Sequence, residues 1–180
     1  MAKTAGFLKF IETVGLVFEV IAAIFLAFLE VFFAVIGNFS DIAAKTGNAI
    51  TISGGTMTPA EMDAFKPAVM VVIAIGLVSV IFGIIGTLKT RKTLKEIQEM
   101  RPFSPEAVKS IKTAAQVEII GGIAGIIGSL ILTFMVSNLT VNGTSLGNTS
   151  VTMNLTFIID AVQKYMFYHI MNYGNQLEKY

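Results

Sequence analysis

Three stretches of the chain are almost entirely apolar and are long enough to cross a membrane. They cover about residues 13–37, 67–87 and 114–137, and a helix needs about 20 residues to span the hydrocarbon core. The first stretch exceeds the roughly 7–15 apolar residues of a signal peptide, so we expect it to be retained. Because lipid offers no hydrogen-bond partners to an open backbone, each stretch predicts a membrane-spanning helix.

A fourth apolar stretch, about residues 152–173, is interrupted by several polar side chains. We predict a fourth span there, because a three-span protein would leave the apolar residues of this stretch in water. A four-span arrangement also places most of the basic residues on one side of the membrane. Basic residues are enriched in cytoplasmic segments. With both termini in the cytoplasm, ten Lys and Arg residues lie inside, namely Lys3, Lys9, Lys89, Arg91, Lys92, Lys95, Arg101, Lys109, Lys112 and Lys179.

The fold class predicted from these patterns is an all-α integral membrane protein. We expect a single domain over residues 1–180, folded as a four-helix transmembrane bundle in the cell membrane. The protein is then multi-pass, with its N-terminus and its C-terminus in the cytoplasm.

The segments between the spans differ in their pattern. The outer loops, 38–66 and 138–151, contain alternating apolar and polar residues around Gly-Gly and Asn-Gly pairs, which is typical of tight hairpins. They predict small extracellular β-ribbons. The inner segment 88–113 is polar, and Ser104 and Pro105 have the residue types of an N-cap and a first helical position. It predicts a basic cytoplasmic helical hairpin.

Composition narrows the classes of function. The chain is 54% hydrophobic and 14% charged, with a net charge of +1, so it has no general electrostatic basis for direct nucleic-acid binding. Cysteine is absent, which excludes disulfides and thiolate chemistry. A single histidine cannot form a multi-histidine metal site, and no nucleophile–base pattern is present. We therefore predict no catalytic residue, no metal, no cofactor and no enzyme activity.

The first span has an acidic stripe. Glu12, Glu19 and Glu30 are separated by seven and eleven residues, which places them within roughly 20° of one another around a helix. A carboxylate at mid-bilayer costs about 2.5–3.5 kcal/mol, so this face should look into the bundle or toward another subunit. Glu19 is the deepest of the three. It is either a proton- or cation-binding group or a structural partner of another polar side chain.

The fourth span offers partners for this stripe. Asp160 and Lys164 are four residues apart, a spacing that allows an ion pair within one helix. Lys164 could instead bridge to Glu30 or Glu19 on the first span. We expect His169 to be a hydrogen-bonded residue of the bundle rather than a ligand.

Small residues repeat at three- and four-residue steps in the second and third spans. Such faces let helix backbones approach closely in lipid. We predict that they pack helices within the bundle, with association of copies as the alternative. The helix-packing candidates are Gly76, Ser79, Gly83, Gly86, Gly121 and Gly125.

Two segments resemble a known family. The segment Leu94-Lys-Glu-Ile-Gln-Glu-Met-Arg-Pro-Phe-Ser-Pro-Glu-Ala-Val108 and the ending Tyr173-Gly174-Asn-Gln-Leu177-Glu178 are similar to sequences in the bacterial four-span membrane protein family called domain of unknown function 2975. The resemblance implies four spans and the same orientation. It also implies that a helix-turn-helix regulator is a candidate cytoplasmic protein partner. It implies no chemistry.

Three functions are compatible with these patterns. The first is a regulatory or scaffolding membrane protein whose basic hairpin docks a soluble partner. Its docking candidates are Arg101, Phe103, Lys92, Lys95 and Lys109. The second is an ion- or proton-coupled transporter or channel that works as a homo-oligomer and uses an intramembrane polar network, formed by Glu19, Glu30, Asp160, Lys164 and His169. The third is an immunity or self-protection protein of the membrane.

Overall fold

The fold is predominantly α-helical. The computed structural model describes residues 2–47, 51–52, 55–141, 144–145 and 156–178. Five helices are found in these ranges, which are α1 (Ala2–Val35), α2 (Phe39–Thr46), α3 (Pro59–Gln98), α4 (Pro105–Ser137) and α5 (Thr156–Leu177). Three of them, α1, α3 and α4, are long and apolar enough to cross a membrane. The chain is therefore a multi-pass helical membrane protein.

The surface of the long helices is suited to lipid. Phe18 and Ile24 of α1 are 67% and 66% exposed, and no large side chain among the described residues is fully buried. In water such a surface would be unstable. In a bilayer, lipid chains solvate the apolar side chains, so the helices associate through close packing and polar contacts instead of a large apolar core.

The segment 38–66, which was predicted to lie outside the cell, is more helical than predicted. It contains α2 and the first turns of α3, and among its described residues β1 (Thr51–Ile52) and β2 (Gly55–Thr56) pair in an antiparallel register. The segment 138–151 has a similar pair, β3 (Thr140–Val141) and β4 (Thr144–Ser145). Each strand has two residues, and residues 53–54, 142–143 and 146–155 lie outside the described ranges. Longer ribbons therefore stay a prediction.

The turn between α3 and α4 is built by hydrogen bonds. Ser104 Oγ accepts from the backbone N–H of Ala107 at 3.2 Å, which makes Ser104 the N-cap of α4, as predicted. The same hydroxyl donates to Glu96 Oε2 at 3.0 Å. Met100 has a left-handed φ of 62°, and the Arg101 N–H donates to the Glu96 carbonyl at 2.9 Å. These contacts end α3 and start α4 within a few residues.

The chain divides into two compact units. Unit 1 contains residues 1–23, 78–124 and 154–180, and unit 2 contains residues 24–77 and 125–153. In unit 1, α5 packs antiparallel along α4. Phe157 lies against Gly122, and at the other end Phe103 lies against Gly174.

This register affects two predicted boundaries. Lys112 Nζ lies 5.5 Å from the centroid of the Tyr168 ring, and Met171 is buried in one cluster with Ala107, Val108 and Ile111. The last turns of α5 thus lie beside the segment that was predicted as the inner hairpin. The bounds 152–173 for the fourth span and 88–113 for the inner hairpin stay predictions. Residues 152–155 lie outside the described ranges.

Residues near both ends of the chain lie beside the same turn of unit 1. A methyl group built on Gly6 of α1 would be 3.5 Å from Gln98 Nε2 at the end of α3. Gly174 of α5 lies against Phe103 of the α3–α4 turn. The start of α1 and the end of α5 are therefore at the same end of unit 1.

Unit 2 has a small apolar core. Met57 and Met62 are buried together, with Phe39, Ala43 and Phe65 packed against them. The Asp63 carboxylate accepts hydrogen bonds from the Ser40 N–H at 3.0 Å and from the Ser40 hydroxyl at 2.7 Å. These bonds fix α2 against the beginning of α3.

Candidate functional site

Unit 1 contains a polar cavity of about 330 Å³. Side chains from α1, α3, α4 and α5 line it. Its polar residues are Glu12, Glu19, Ser79, Thr87, Thr90, Glu118 and Lys164. We call this space the carboxylate cavity, because three glutamates and a single lysine supply its charge. If all four groups are ionised, the negative charge is in excess.

Lys164 pairs with Glu118 in this cavity. Its ammonium donates to Glu118 Oε2, and both side chains are 26% exposed. This corrects the predicted partners of Lys164, which were Asp160, Glu19 and Glu30. The reason is the register of α5 on α4, which brings Lys164 across from Glu118. Glu118 was not singled out from the sequence, although it is the only acidic residue between 114 and 137.

Glu19 is the carboxylate of the carboxylate cavity that has a buried oxygen without a partner among the described residues. Its Oε1 accepts a hydrogen bond from the Thr87 hydroxyl at 3.1 Å. Its Oε2 is buried and has no partner among the described residues. Glu12 and Glu19 both face the interior of unit 1, which is the orientation predicted for the acidic stripe. One oxygen of the Glu19 carboxylate therefore lacks a hydrogen-bond donor among the described residues.

Glycines make room for the walls of the cavity. A methyl group on Gly83 would lie 3.2 Å from Glu19 Oε1, and one on Gly121 would lie 2.9 Å from Phe82 Cβ. Gly122 lies against the Phe157 ring even more closely. Gly86 and Ser79 also line the cavity. These positions let α3, α4 and α5 surround a polar space.

Two of the other helix-packing candidates, Gly76 and Gly125, have more space around them. In unit 2, a methyl group on Gly76 would meet Leu26 Cδ1 at 3.4 Å, an ordinary van der Waals distance. Gly125 has nothing within 4 Å of a built methyl group, and the same is true of Gly86. In unit 2 the tight position is instead Gly128, whose methyl group would lie 2.7 Å from Ile75 Cγ1.

Glu30 and His169 lie outside the carboxylate cavity. Glu30 belongs to unit 2, and its Oε2 is buried without a partner among the described residues. His169 is exposed, and its ring lies 5.0 Å from the Tyr168 ring between centroids. His169 lines a cavity with Ile119 and Ile123 of α4, but its ring has no hydrogen bond to another described residue, so the predicted hydrogen-bonded histidine is corrected to an exposed one.

The hairpin residues divide into exposed and packed groups. Lys92, Lys95, Arg101 and Lys109 are exposed. Phe103, predicted as an exposed tip, is half-buried against Gly174 and the cluster around Met171. Phe103 is covered because α5 packs against this turn. Arg101 contacts Glu99 and lies 3.3 Å from Glu96 Oε2, and its hydrogen bond lowers the pKa of Glu99 below the usual value.

Chemically, the carboxylate cavity is suited to a cation or a proton. Among the described residues, no three His, Cys, Asp or Glu side chains converge as a metal site would require. Comparisons of the chain with protein-family models, curated proteins and solved structures found no match. The resemblance to the domain of unknown function 2975 family stays a prediction.

Proposed function

We propose that the protein is an ion- or proton-coupled membrane transporter or channel that binds its cation in the carboxylate cavity. The observation that carries this proposal is Glu19, an acidic group in an apolar helix with one oxygen buried and unpartnered beside Glu118 and Lys164. A bare carboxylate in a low-dielectric interior is costly. The cost falls when the carboxylate takes up a proton or pairs with a cation, so Glu19 is a natural binding group.

The charge of the cavity supports binding over a purely structural role. Lys164 neutralises Glu118, which leaves Glu12 and Glu19 without a basic partner within 4.0 Å among the described residues. A structural network would be expected to satisfy its buried polar atoms. Here the unsatisfied oxygen belongs to a side chain that lines an open volume. The threonines beside it can supply further oxygen ligands or relay a proton.

For the topology, we propose four spans with both termini in the cytoplasm of the cell and the short strand pairs outside. Two observations support it. Ten of the thirteen Lys and Arg residues fall on the inner side in this arrangement, and the start of α1 and the end of α5 lie beside the same turn. α5 then enters the membrane with its first turns and leaves it well before Leu177. Because the chain has no cysteine, single cysteines at positions 3 and 178 should both react only with a membrane-permeant reagent in intact cells.

We further propose that the transporting unit is a homo-oligomer. The proposal is supported by the large apolar side chains on the outer face of α1, such as Phe18 and Phe28 at 67% and 64% exposure. Lipid can cover them, and so can a second copy. Native mass spectrometry from nanodiscs should give a defined multiple of the 19.3 kDa chain, whereas a monomer would restrict the path to unit 1 of one chain.

The experiment that tests the proposed function compares two glutamates of the same helix. Purified protein is reconstituted in liposomes that contain a pH-sensitive dye, and proton flux is driven by an imposed potential. Glu19→Gln should remove the protein-dependent flux, while Glu30→Gln should keep it. Glu30 is the matched control, because its Oε2 is also buried without a partner among the described residues, and Glu30 lies outside the cavity. Equal flux from wild type and Glu19→Gln would refute the proposal.

The second candidate function is docking of a cytoplasmic protein on the hairpin. The favouring observation is the group of exposed basic side chains, Lys92, Lys95, Arg101 and Lys109. An acidic surface of a soluble partner, including a helix-turn-helix regulator, would complement it. Attraction to anionic lipid is the competing explanation, at about 1 kcal/mol per basic residue. Arg101→Ala with Lys109→Ala should abolish recovery of the partner from nanodiscs of neutral lipid. Unchanged recovery would exclude docking at this surface.

A further inference from the structure

Lys164 lines two neighbouring cavities of unit 1. The second cavity has a volume of about 350 Å³ and shares Thr90 and Lys164 with the carboxylate cavity. Its polar lining includes Asp160 and Gln163, which lie within one turn before Lys164 on α5. Lys164 therefore lines one cavity with the carboxylate that it contacts, Glu118, and a second cavity with another carboxylate, Asp160.

The carboxylates of Glu118 and Asp160 differ in their contacts. Glu118 holds the ammonium of Lys164, whereas Asp160 is exposed and has no hydrogen bond or ion pair with the described residues. Residues four apart on a helix have Cβ atoms about 5–6 Å from each other, and the lysine stem is long and flexible. Side-chain rotation alone can thus move the ammonium from Glu118 to Asp160 while α5 stays in place.

We propose that Lys164 is a tethered competitor for a small organic ammonium ion in the carboxylate cavity. The ligand's ammonium replaces that of Lys164 at Glu118, and Lys164 moves to Asp160. This inference rests on the proposed function, and it adds the chemical class of the ligand and the residue that regulates its entry.

The ligand class follows from the contacts in the cavity. A primary ammonium on Glu118 is the contact that Lys164 already makes. The glutamates are spread around the space instead of converging on one point, which suits a molecule more than a bare metal ion. The rings of Phe82 and Phe157 also line the cavity, and aromatic rings attract cations and pack on alkyl groups. The volume of 330 Å³ lies near the lower end of small-molecule sites, about 300–1,000 Å³.

The exchange also keeps the charges paired. An unpaired ammonium in a partly buried site is costly. Lys164 leaves Glu118 only when the incoming ammonium takes its position, and it then finds the carboxylate of Asp160. Asp160 therefore matters for the affinity although it lies in the other cavity.

The test measures equilibrium binding of radiolabelled benzylammonium to the full-length protein in nanodiscs of neutral lipid. Lys164→Met should bind the probe about tenfold more tightly, because a competitor that occupies the site lowers the binding-competent fraction. Asp160→Asn should bind about tenfold more weakly by the same argument, since Lys164 then has no second carboxylate. The matched control is Lys112→Met, a lysine near α5 that lines neither cavity, and it should bind like wild type.

The outcomes separate this inference from the proposed function. If Lys164→Met does not fold, Asp160→Asn decides, because it keeps the contact between Lys164 and Glu118. Wild-type affinity in Asp160→Asn overturns the inference, as does absence of binding in wild type. If Glu19→Gln abolishes proton flux while Lys164→Met and Asp160→Asn bind the probe like wild type, the proposed function stands and the tethered competitor is excluded.

Discussion

Glu19 and Glu30 lie on the same face of the same helix, and each has a buried oxygen without a partner among the described residues. Their surroundings differ. Glu19 lines a cavity that also contains Glu118, Lys164 and Thr87, whereas Glu30 lines none of the larger cavities in the described structure. The pattern of α1 therefore accounts for the burial of one oxygen of each carboxylate. The residues that the neighbouring helices place around a carboxylate determine whether it belongs to a cavity.

The two units show the same contrast in their cavities. The cavity of unit 1 is lined by charged residues and hydroxyls. Unit 2 has a larger cavity of about 450 Å³ whose lining is almost entirely apolar, including Phe32, Phe39, Met57 and Phe65. Charged ligands should therefore bind in unit 1, and changes to the core of unit 2 should alter stability without altering cation binding.

The largest expected effect on stability comes from the core of unit 2. Met62 is 5% exposed, and Met62→Ala should lower the free energy of unfolding by about 2–5 kcal/mol, the usual cost of emptying a buried site. The melting temperature of a fluorescent-protein fusion in detergent measures it. Affinity for the cation probe should stay within experimental error of wild type. If Met62→Ala also lowers the affinity for the cation probe, cation binding is not confined to unit 1.

The second prediction concerns the contact of α5 with α4. Gly122→Val should cost about 1–3 kcal/mol through overpacking, because its side chain would overlap the Phe157 ring. Gly125→Val is the matched control on the same helix, since Gly125 has open space around a built methyl group. Phe157→Ala should restore most of the loss in a double variant, as thermal unfolding can show. Equal melting temperatures for the two valine variants would mean that α5 does not pack on Gly122.

The third prediction uses the ion pair of the cavity. Glu118→Gln leaves the ammonium of Lys164 without its counter-charge, and removal of one member of a fully buried pair costs about 3–5 kcal/mol. Both side chains are 26% exposed, so the loss should fall below that range. Glu118→Gln combined with Lys164→Met should be more stable than Glu118→Gln alone. Additive losses in the double variant would show that the two groups do not interact.

The smallest effect is expected at the exposed end of the hairpin. The hydrogen bond from Arg101 lowers the pKa of Glu99, so Glu99 stabilises the folded state above its unfolded pKa. That contribution is lost as the pH falls through the lowered folded value. The difference in melting temperature between wild type and Glu99→Gln should therefore be greatest near neutral pH and should vanish in acid. A difference that grows on acidification would contradict the assigned contact.

Part of this structure follows from sequence patterns alone. The apolar runs predict α1, α3 and α4, because only a helix satisfies a backbone in lipid. Ser104 before Pro105 predicts the start of α4, since capping is a local interaction. The inward orientation of Glu19 follows from the cost of exposing a carboxylate to acyl chains.

The partners of the polar groups could not be predicted in the same way. Which group meets Lys164 depends on the register of α5 on α4, and that register is set by the fit of Phe157 against Gly122 and of Phe103 against Gly174. Such fits involve residues far apart in the chain. The sequence contains one local clue. Glu118 is the only acidic residue of the third apolar stretch, and Lys164 is the only lysine of the fourth. The packing of Phe103 was missed for the same reason.

The most direct test of the account is a cation-induced infrared difference spectrum of the protein in lipid, recorded for wild type, Glu19→Gln and Glu30→Gln. If the carboxylate cavity binds cations, addition of benzylammonium should produce carboxylate bands in wild type and in Glu30→Gln. The Glu19 contribution should be missing from Glu19→Gln. Identical difference spectra from Glu19→Gln and wild type, or loss of the bands in Glu30→Gln alone, would contradict the assignment of Glu19 as a cation-binding carboxylate.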